Sequence, residues 1–190
     1  MSIYELRTAR LLLRSWQESD NKPFIAMGLD ERVMEYFATL NTAEQSRDFI
    51  TRMQDIINEQ GWGMWAAQEL ASEEFIGIIG IKPLPQDFPV VSLESPPIEI
   101  GWRLRPEFWN KGYATEGALA SLELGFNTLN LKEIVSITSF LNAPSIRVME
   151  KIGMKRDMSG DFDHPRIEEG SNVRKHLLYR ITNQDWKQQQ

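Results

Sequence analysis

The sequence contains no cysteine, which excludes disulfides, thiolate metal sites and a cysteine nucleophile. Its two histidines are too few for a histidine-rich zinc site, so no metal is expected. No apolar run approaches the ~20 residues of a spanning helix. The first residues, M-S-I-Y-E-L-R-T-A-R, lack the apolar core of a signal peptide. A soluble cytoplasmic protein without a membrane partner is expected. Basic side chains are outnumbered 21 to 27, for a net charge of −6. That balance disfavours nucleic acid, whose affinity depends on neutralising phosphates, although Arg103, Arg105 and Lys111 offer a local basic mouth. Neither G-x-G-x-x-G nor G-x-x-x-x-G-K-[ST] occurs, so the familiar nucleotide loops are missing. With no repeat and no low-complexity linker, 190 residues are read as one domain, 1–190, with a substantial core.

The pattern that is present is mixed α/β. Leu11–Arg14 reads as a short strand, after which Ser19 or Asp20 offers an N-cap for a helix through Phe24–Met27. A short helical piece is predicted over Asp30–Phe37. Thr42 stands three residues before Gln45, a capping-box spacing. Phe49, Ile50, Met53, Ile56 and Ile57 then recur at helical intervals until Gly61. Gly63–Glu69 and Phe75–Lys82 form a predicted hairpin, and the proline-rich Pro83–Pro97 is a loop. Ile98–Leu104 alternates as a strand and feeds a helix over Ala114–Leu129, with Leu119, Leu122 and Phe126 on one face. Ile134–Phe140 is the next strand, and the strand–helix–strand unit predicts a parallel, right-handed crossover. Asn142 caps a short helix that ends at Gly153. A strand near Met154–Met158, a polar loop over Ser159–Asn172 and a strand around His176–Ile181 follow. Asn183–Gln190 reads as frayed.

The stretch Arg105–Ala118, R-P-E-F-W-N-K-G-Y-A-T-E-G-A, is the chemical focus. A strand entering a helix through a tight turn leaves N–H groups beside the positive end of the helix dipole, which suits a phosphate or pyrophosphate. Gly112 permits close approach of a ligand to the backbone. On spacing alone, a plain strand-to-helix turn explains the same residues.

I-E-I-G-W-R-L-x6-K-G-Y-A-T-E-x-A, with N-A-P-S-I-R-V-M-E-K-I-G-M downstream, resembles the GNAT superfamily of acetyl-CoA-dependent N-acetyltransferases. Its branch of ribosomal-protein N-terminal acetyltransferases (RimJ/RimL-like) is the most similar. T-x-R-L-x-L-R at Thr8–Arg14 matches that branch's first strand. F-D-H-P-R-I-x-E-G with R-K-H-x-L-Y-R resembles a bacterial subgroup. The resemblance implies a mixed, mostly antiparallel central sheet flanked by helices. It implies a pyrophosphate loop at Trp109, Asn110, Lys111, Gly112, Tyr113, Ala114 and Thr115. Trp109 stands where the wider superfamily has Gln or Arg, and Asn110 where the branch often has Gly. Backbone groups of Trp102, Arg103 and Leu104 would pair with the pantetheine arm as an added strand, and Asn142 would hydrogen-bond it.

The same resemblance implies that Ser145 serves the departing thiolate, which needs a proton or a hydrogen bond. Glu99, on the strand bordering the acetyl group, is the candidate base for an amine that arrives protonated. Bland readings stand beside these: Asn142 as a plain cap, Ser145 as a first-turn serine, and Glu99 as a solvated strand glutamate with water or another acid as base. Glu116 reads as a helix-dipole carboxylate, His164 as a loop brace or acceptor-site lining, and His176 as structural. Absence of cysteine favours direct attack in a ternary complex. The expected partners are acetyl-CoA and a primary amine, on a peptide N-terminus or a small molecule, with the chain a monomer or homodimer. A non-catalytic CoA-binding sensor or interaction module is the alternative.

Overall fold

The computed structural model describes residues 3–189. In chain order its elements are β1 (Leu6–Arg7), β2 (Leu11–Arg14), α1 (Asn21–Leu29), α2 (Glu31–Met34), α3 (Ala43–Gln60), β3 (Met64–Glu69), β4 (Phe75–Pro83) and β5 (Ile98–Leu104). Then follow α4 (Tyr113–Glu123), β6 (Glu133–Ser139), α5 (Ala143–Lys151), β7 (Lys155–Asp163), β8 (Lys175–Thr182) and α6 (Asn183–Gln188). The eight strands lie in the order β1-β2-β3-β4-β5-β6-β8-β7. The pairs β1–β2, β2–β3, β3–β4, β6–β8 and β7–β8 are antiparallel. The pair β5–β6 is parallel, at Glu99↔Val135, as the strand–helix–strand spacing predicts. The fold is thus mixed α/β, with a mostly antiparallel sheet flanked by helices.

Internal contacts gather into two compact units. The first comprises the chain up to Glu35, Thr39–Lys82 and Gly101–Ser121. In it, Thr42 accepts from Gln45 N–H while Gln45 accepts from Thr42 N–H, so two donors at the start of α3 are satisfied reciprocally. Gly61, at φ 81°, closes the helix in the left-handed conformation. Ile50, Met53 and Ile57 are buried on one face, each burial stabilising the fold by about 1.5–3 kcal/mol. Phe24 of α1 stacks on Phe49 of α3 at 5.3 Å and meets Trp16 edge-on at 5.1 Å. Asp20 occupies the N-cap position of α1, as the sequence suggests, but its side chain makes no capping hydrogen bond. Its carboxylate is buried on Arg14 at 2.7 and 3.0 Å and accepts from Gln17 N–H, because a buried charge must be paired.

The second unit comprises Tyr36–Ala38, Pro83–Ile100 and the chain from Leu122 onward. Leu84 and Val90 of the proline-rich loop pack on Val135 of β6 and Leu178 of β8. Arg180 ties that loop down through the Val91 carbonyl while bonding Glu133 and Asp157.

Four sequence expectations change. Strand β7 continues to Asp163, so the polar loop begins later than Ser159; its partner β8 supplies register as far as Asp163↔Lys175. Asn183 onward is not frayed: Thr182 and Asp185 form a capping box, and Trp186 is buried against Phe126 at 5.9 Å. The expectation for Gln190 lies outside the described residues. The helix predicted to Leu129 ends at Glu123 and continues as a π-helical turn over Leu124–Thr128. Leu119 is exposed while Leu122 and Phe126 are buried, so these three do not share one buried face. Finally, the piece expected over Asp30–Phe37 is helical only over Glu31–Met34, capped by Asp30.

Candidate active site

In the first unit, β5 runs into a 3-10 turn at Pro106–Phe108, then into Trp109–Gly112, then into α4. Asn110 and Gly112 both have positive φ, 59° and 83°. Asn is one of the few non-glycine residues that tolerates this, which explains how the turn closes without the glycine common in the resembling branch. The first bond of α4 runs from Glu116 N–H to the Gly112 carbonyl at 3.0 Å. The N–H groups ahead of it therefore have no intrahelical partner, and they sit at the positive end of the helix dipole. Asn110, Lys111 and Gly112 are exposed, and Ala114 and Thr115 are half-buried. Lys111 Nζ lies 5.1 Å over the Phe108 ring. The chemistry suits a diphosphate: backbone donors, a lysine, and no carboxylate in the turn itself.

What holds the turn is a brace that sequence reading missed. Thr8 Oγ donates to Glu116 at 2.6 Å, and Arg10 gives it two bonds, from N–H at 2.8 Å and Nε at 2.6 Å. Arg10 also donates to the Lys111 carbonyl at 2.9 Å and covers the Tyr113 ring at 4.6 Å. The Tyr113 hydroxyl donates to Glu69. Burial opposes ionisation of Glu116, yet the bonds from Thr8 and Arg10 outweigh it and hold the carboxyl below its usual range. Thus Glu116 is more than a dipole carboxylate. The signal was in T-x-R-L, but the partners lie about a hundred residues apart, beyond any local pattern.

Trp109 donates its indole N–H to the Leu104 carbonyl at 2.8 Å, so one acceptor site on that oxygen is taken within the chain. Trp102 is half-buried and Leu104 is buried. Arg103 extends its guanidinium beside Phe24 and Phe49, 5.9 and 6.0 Å from their ring centres, and near the Met34 sulfur at 3.8 Å. Burial there lowers its pKa to about 10. Its side chain thus belongs to the packing of α1, α2 and α3.

In the second unit, Asn142 caps α5, its Oδ1 accepting from Ser145 N–H at 3.1 Å. The capping reading is therefore correct, and it leaves the Asn142 amide NH2 as the donor end. Pro144 sits in the first turn, where its missing N–H costs nothing.

Glu99 also belongs to the second unit. Its bridge partner Val135 is opposite Arg180, and two steps further along the same ladder come Ile137↔Leu178 and then Ser139↔His176. Bridge partners share a face, and faces alternate with period two. Glu99, Val135, Ile137, Leu178 and His176 therefore lie on one face, with Phe162 across from His176. His164 follows at the end of β7, 4.7 Å between ring centres from His176 and 4.9 Å from Phe88. Among the described residues, no group of three or more His, Asp or Glu could hold a metal. No helix among them is long and apolar enough to cross a membrane.

The acetyltransferase (GNAT) domain family matches residues 10–155. The uncharacterized protein YkkB of Bacillus subtilis (strain 168) is 33% identical over 153 residues, covering 79% of this chain and 84% of that one. An Aspergillus fumigatus FsC-acetyl coenzyme A-N(2)-transacetylase is 29% identical over 97% of this chain and 79% of its own. The crystal structure of a GNAT-family acetyltransferase from Bacillus anthracis superposes with a TM-score of 0.76 at 28% identity, covering 95% of this chain and 99% of that one. This chain belongs to the GNAT acetyltransferase family, acyltransferase enzymes whose fold binds acetyl-CoA.

Proposed function

We propose that this protein is a single-domain, cytoplasmic N-acetyltransferase of the RimJ/RimL-like branch, moving an acetyl group from acetyl-CoA to a primary amine by direct attack in a ternary complex. The acceptor is a peptide N-terminus or a small amine. The observation that carries this reading is the braced turn, which leaves the N–H groups at the start of α4 without intrahelical partners beside the exposed Lys111. In this reading, residues Trp109–Thr115 hold the pyrophosphate. Backbone groups of Trp102–Leu104, downstream of the registered β5–β6 pair, hold the pantetheine as an added strand. The Asn142 amide donates to it as well. Glu99, acting through water, takes the proton that the incoming ammonium must lose, and Ser145 supplies a hydrogen bond or proton to the departing sulfur.

A turnover screen of acetyl-CoA against peptide N-termini and small amines tests this, with Ser145→Ala and Glu99→Gln alongside. Each variant is expected to lose on the order of 10²-fold in kcat with binding of CoA retained. CoA at saturation is expected to raise Tm, as a native-state ligand must. Absence of any shift, or turnover of no amine, would remove the reading.

A further inference from the structure

A cavity of about 430 Å³ in the first unit has no part in the function proposed above. It lies between the chain entering α1 and the ends of β3, β4 and β5, and its volume falls in the range of small-ligand sites, ~300–1,000 Å³. The sheet face that floors it is turned away from α4. Leu12 pairs with Gln68 and Gln68 with Phe75, so these side chains share a face, and Arg14 joins them two steps on from Leu12. Helix α4 packs on the other face, where a Cβ at Gly117 would meet Ile79 and Leu11.

Two arginines reach this cavity from strands that are not neighbours. Arg14 of β2 is buried and donates from Nε to the Gln68 side-chain oxygen at 2.6 Å. Arg105, just past β5, donates from Nη1 to the Phe75 carbonyl at 2.9 Å. Because Gln68 and Phe75 are cross-strand partners, the two guanidinium groups converge on one residue pair. Each is fixed by its own carboxylate, Asp20 on Arg14 at 2.7 and 3.0 Å and Glu74 on Arg105 at 2.9 Å. A guanidinium has five N–H donors. Arg14 uses four: Nε on Gln68, both Nη1 hydrogens on the Ser15 carbonyl and Asp20, and one Nη2 hydrogen on Asp20. Arg105 uses both Nη1 hydrogens on Glu74 and the Phe75 carbonyl. One Nη2 hydrogen of Arg14 and the Nη2 hydrogens of Arg105 remain for a ligand, as does the Gln68 amide NH2.

We infer that this cavity binds a free α-amino acid, its carboxylate held between Arg14 and Arg105 and its ammonium by Glu73. The lining carries two arginines and three carboxylates. Arg14 with Asp20 and Arg105 with Glu74 are neutral pairs, so the charge left over is that of Glu73, which has no ion-pair partner among the described residues. A simple anion meets repulsion from Glu73, and a simple amine leaves the converging N–H groups unanswered. A zwitterion satisfies both, with the planar arginine heads suited to a carboxylate. This site stands apart from acetyl transfer, so either reading can fail alone.

The test titrates the full-length protein with L-alanine, and with propionate and ethylamine, each of which is alanine without one of its charged groups. Side-chain NMR follows the Arg14 and Arg105 Nε–H and the Gln68 NH2. L-alanine is expected to shift all three with a Kd of about 1 mM or tighter and to raise Tm. Propionate and ethylamine are expected to bind about tenfold or more weakly. Glu73→Gln should bring L-alanine down to the affinity of propionate while leaving CoA binding as it was, and Arg105→Gln should weaken L-alanine and propionate alike, by about tenfold or more. Arg14 is left in place, since its removal would strand the buried Asp20. Resonances that do not move at about 10 mM L-alanine, well above a millimolar Kd, overturn the inference. So does propionate binding as tightly as L-alanine, or L-alanine binding unchanged in Glu73→Gln.

Discussion

The turn before α4 and the histidine face are built in opposite ways. The turn is held by charges fixed at neutral pH: Arg10 and Glu116, reinforced by Thr8 and by Tyr113 on Glu69. The histidine face is lined by rings held neutral, with the charged clamp of Arg166 on Asp87 out on the exposed edge. A site for a permanent dianion benefits from rigid, permanently charged supports. The comparison predicts that pH and mutation act differently on the two regions.

Glu116→Ala is expected to have the largest effect. It removes three bonds at once and leaves Arg10 beside an empty position, costing about 2–3 kcal/mol and weakening CoA roughly tenfold or more. Urea unfolding and CoA titration measure both; an unchanged CoA affinity would show that the brace does not set the turn. Gly112→Ala comes next. The added Cβ would lie 3.4 Å from Arg10 Nη2, ordinary contact, so the cost at φ 83° is backbone strain, about 1 kcal/mol. CoA affinity falls several-fold while the imidazole titrations stay where they were.

Lowering pH separates the regions without mutation. The folded His164 titrates near 4 and its unfolded counterpart near 6.5, so the unfolded chain binds more protons across that window. Stability is therefore full above about pH 6.5 and declines as pH falls towards 4. Glu116 is shifted the other way relative to its charged form. Its contribution holds above the ordinary carboxylate value of 4.5 and is lost only below it. Between pH 6.5 and 5, Tm should drop while CoA affinity stays level, and His164→Asn should flatten the Tm decline. A decline of the same slope in His164→Asn would assign it elsewhere. The smallest effect is expected for Arg166→Ala. The pair with Asp87 is half in water, so Tm should move by no more than about 1–2 °C, yet the His164 pKa should rise as a neighbouring cation is removed. NMR titration reads that shift directly.

Local signals in the sequence were read correctly where the physics is local. The Thr42–Gln45 box, the Gly61 stop, the alternation of Ile98–Leu104 and the Asn142 cap each depend on residues within a few positions of one another. What escaped was long-range. Strand β7 outlasts an irregularity at its polar residues because pairing with β8 resumes at Phe162↔His176, while Asp161 accepts from Leu178 N–H and pairs with Arg156. The π-helical turn at Leu124–Thr128 alters the helical phase that placed Leu119 with Phe126. Of the candidate site, the turn and the Asn142–Ser145 contact were legible. The Arg10–Glu116 brace and the two-imidazole contact were not, since each joins segments with no shared periodicity.

The cap on α5 gives Asn142 two ends with separate customers. The helix uses only its oxygen, so an aspartate there would satisfy Ser145 N–H equally well, and the helix dipole would welcome the charge. Only a ligand would notice the missing NH2. Asn142→Asp is therefore a substitution invisible to folding and visible to chemistry, a natural lesion for sorting what this residue does for the chain from what it does for the reaction.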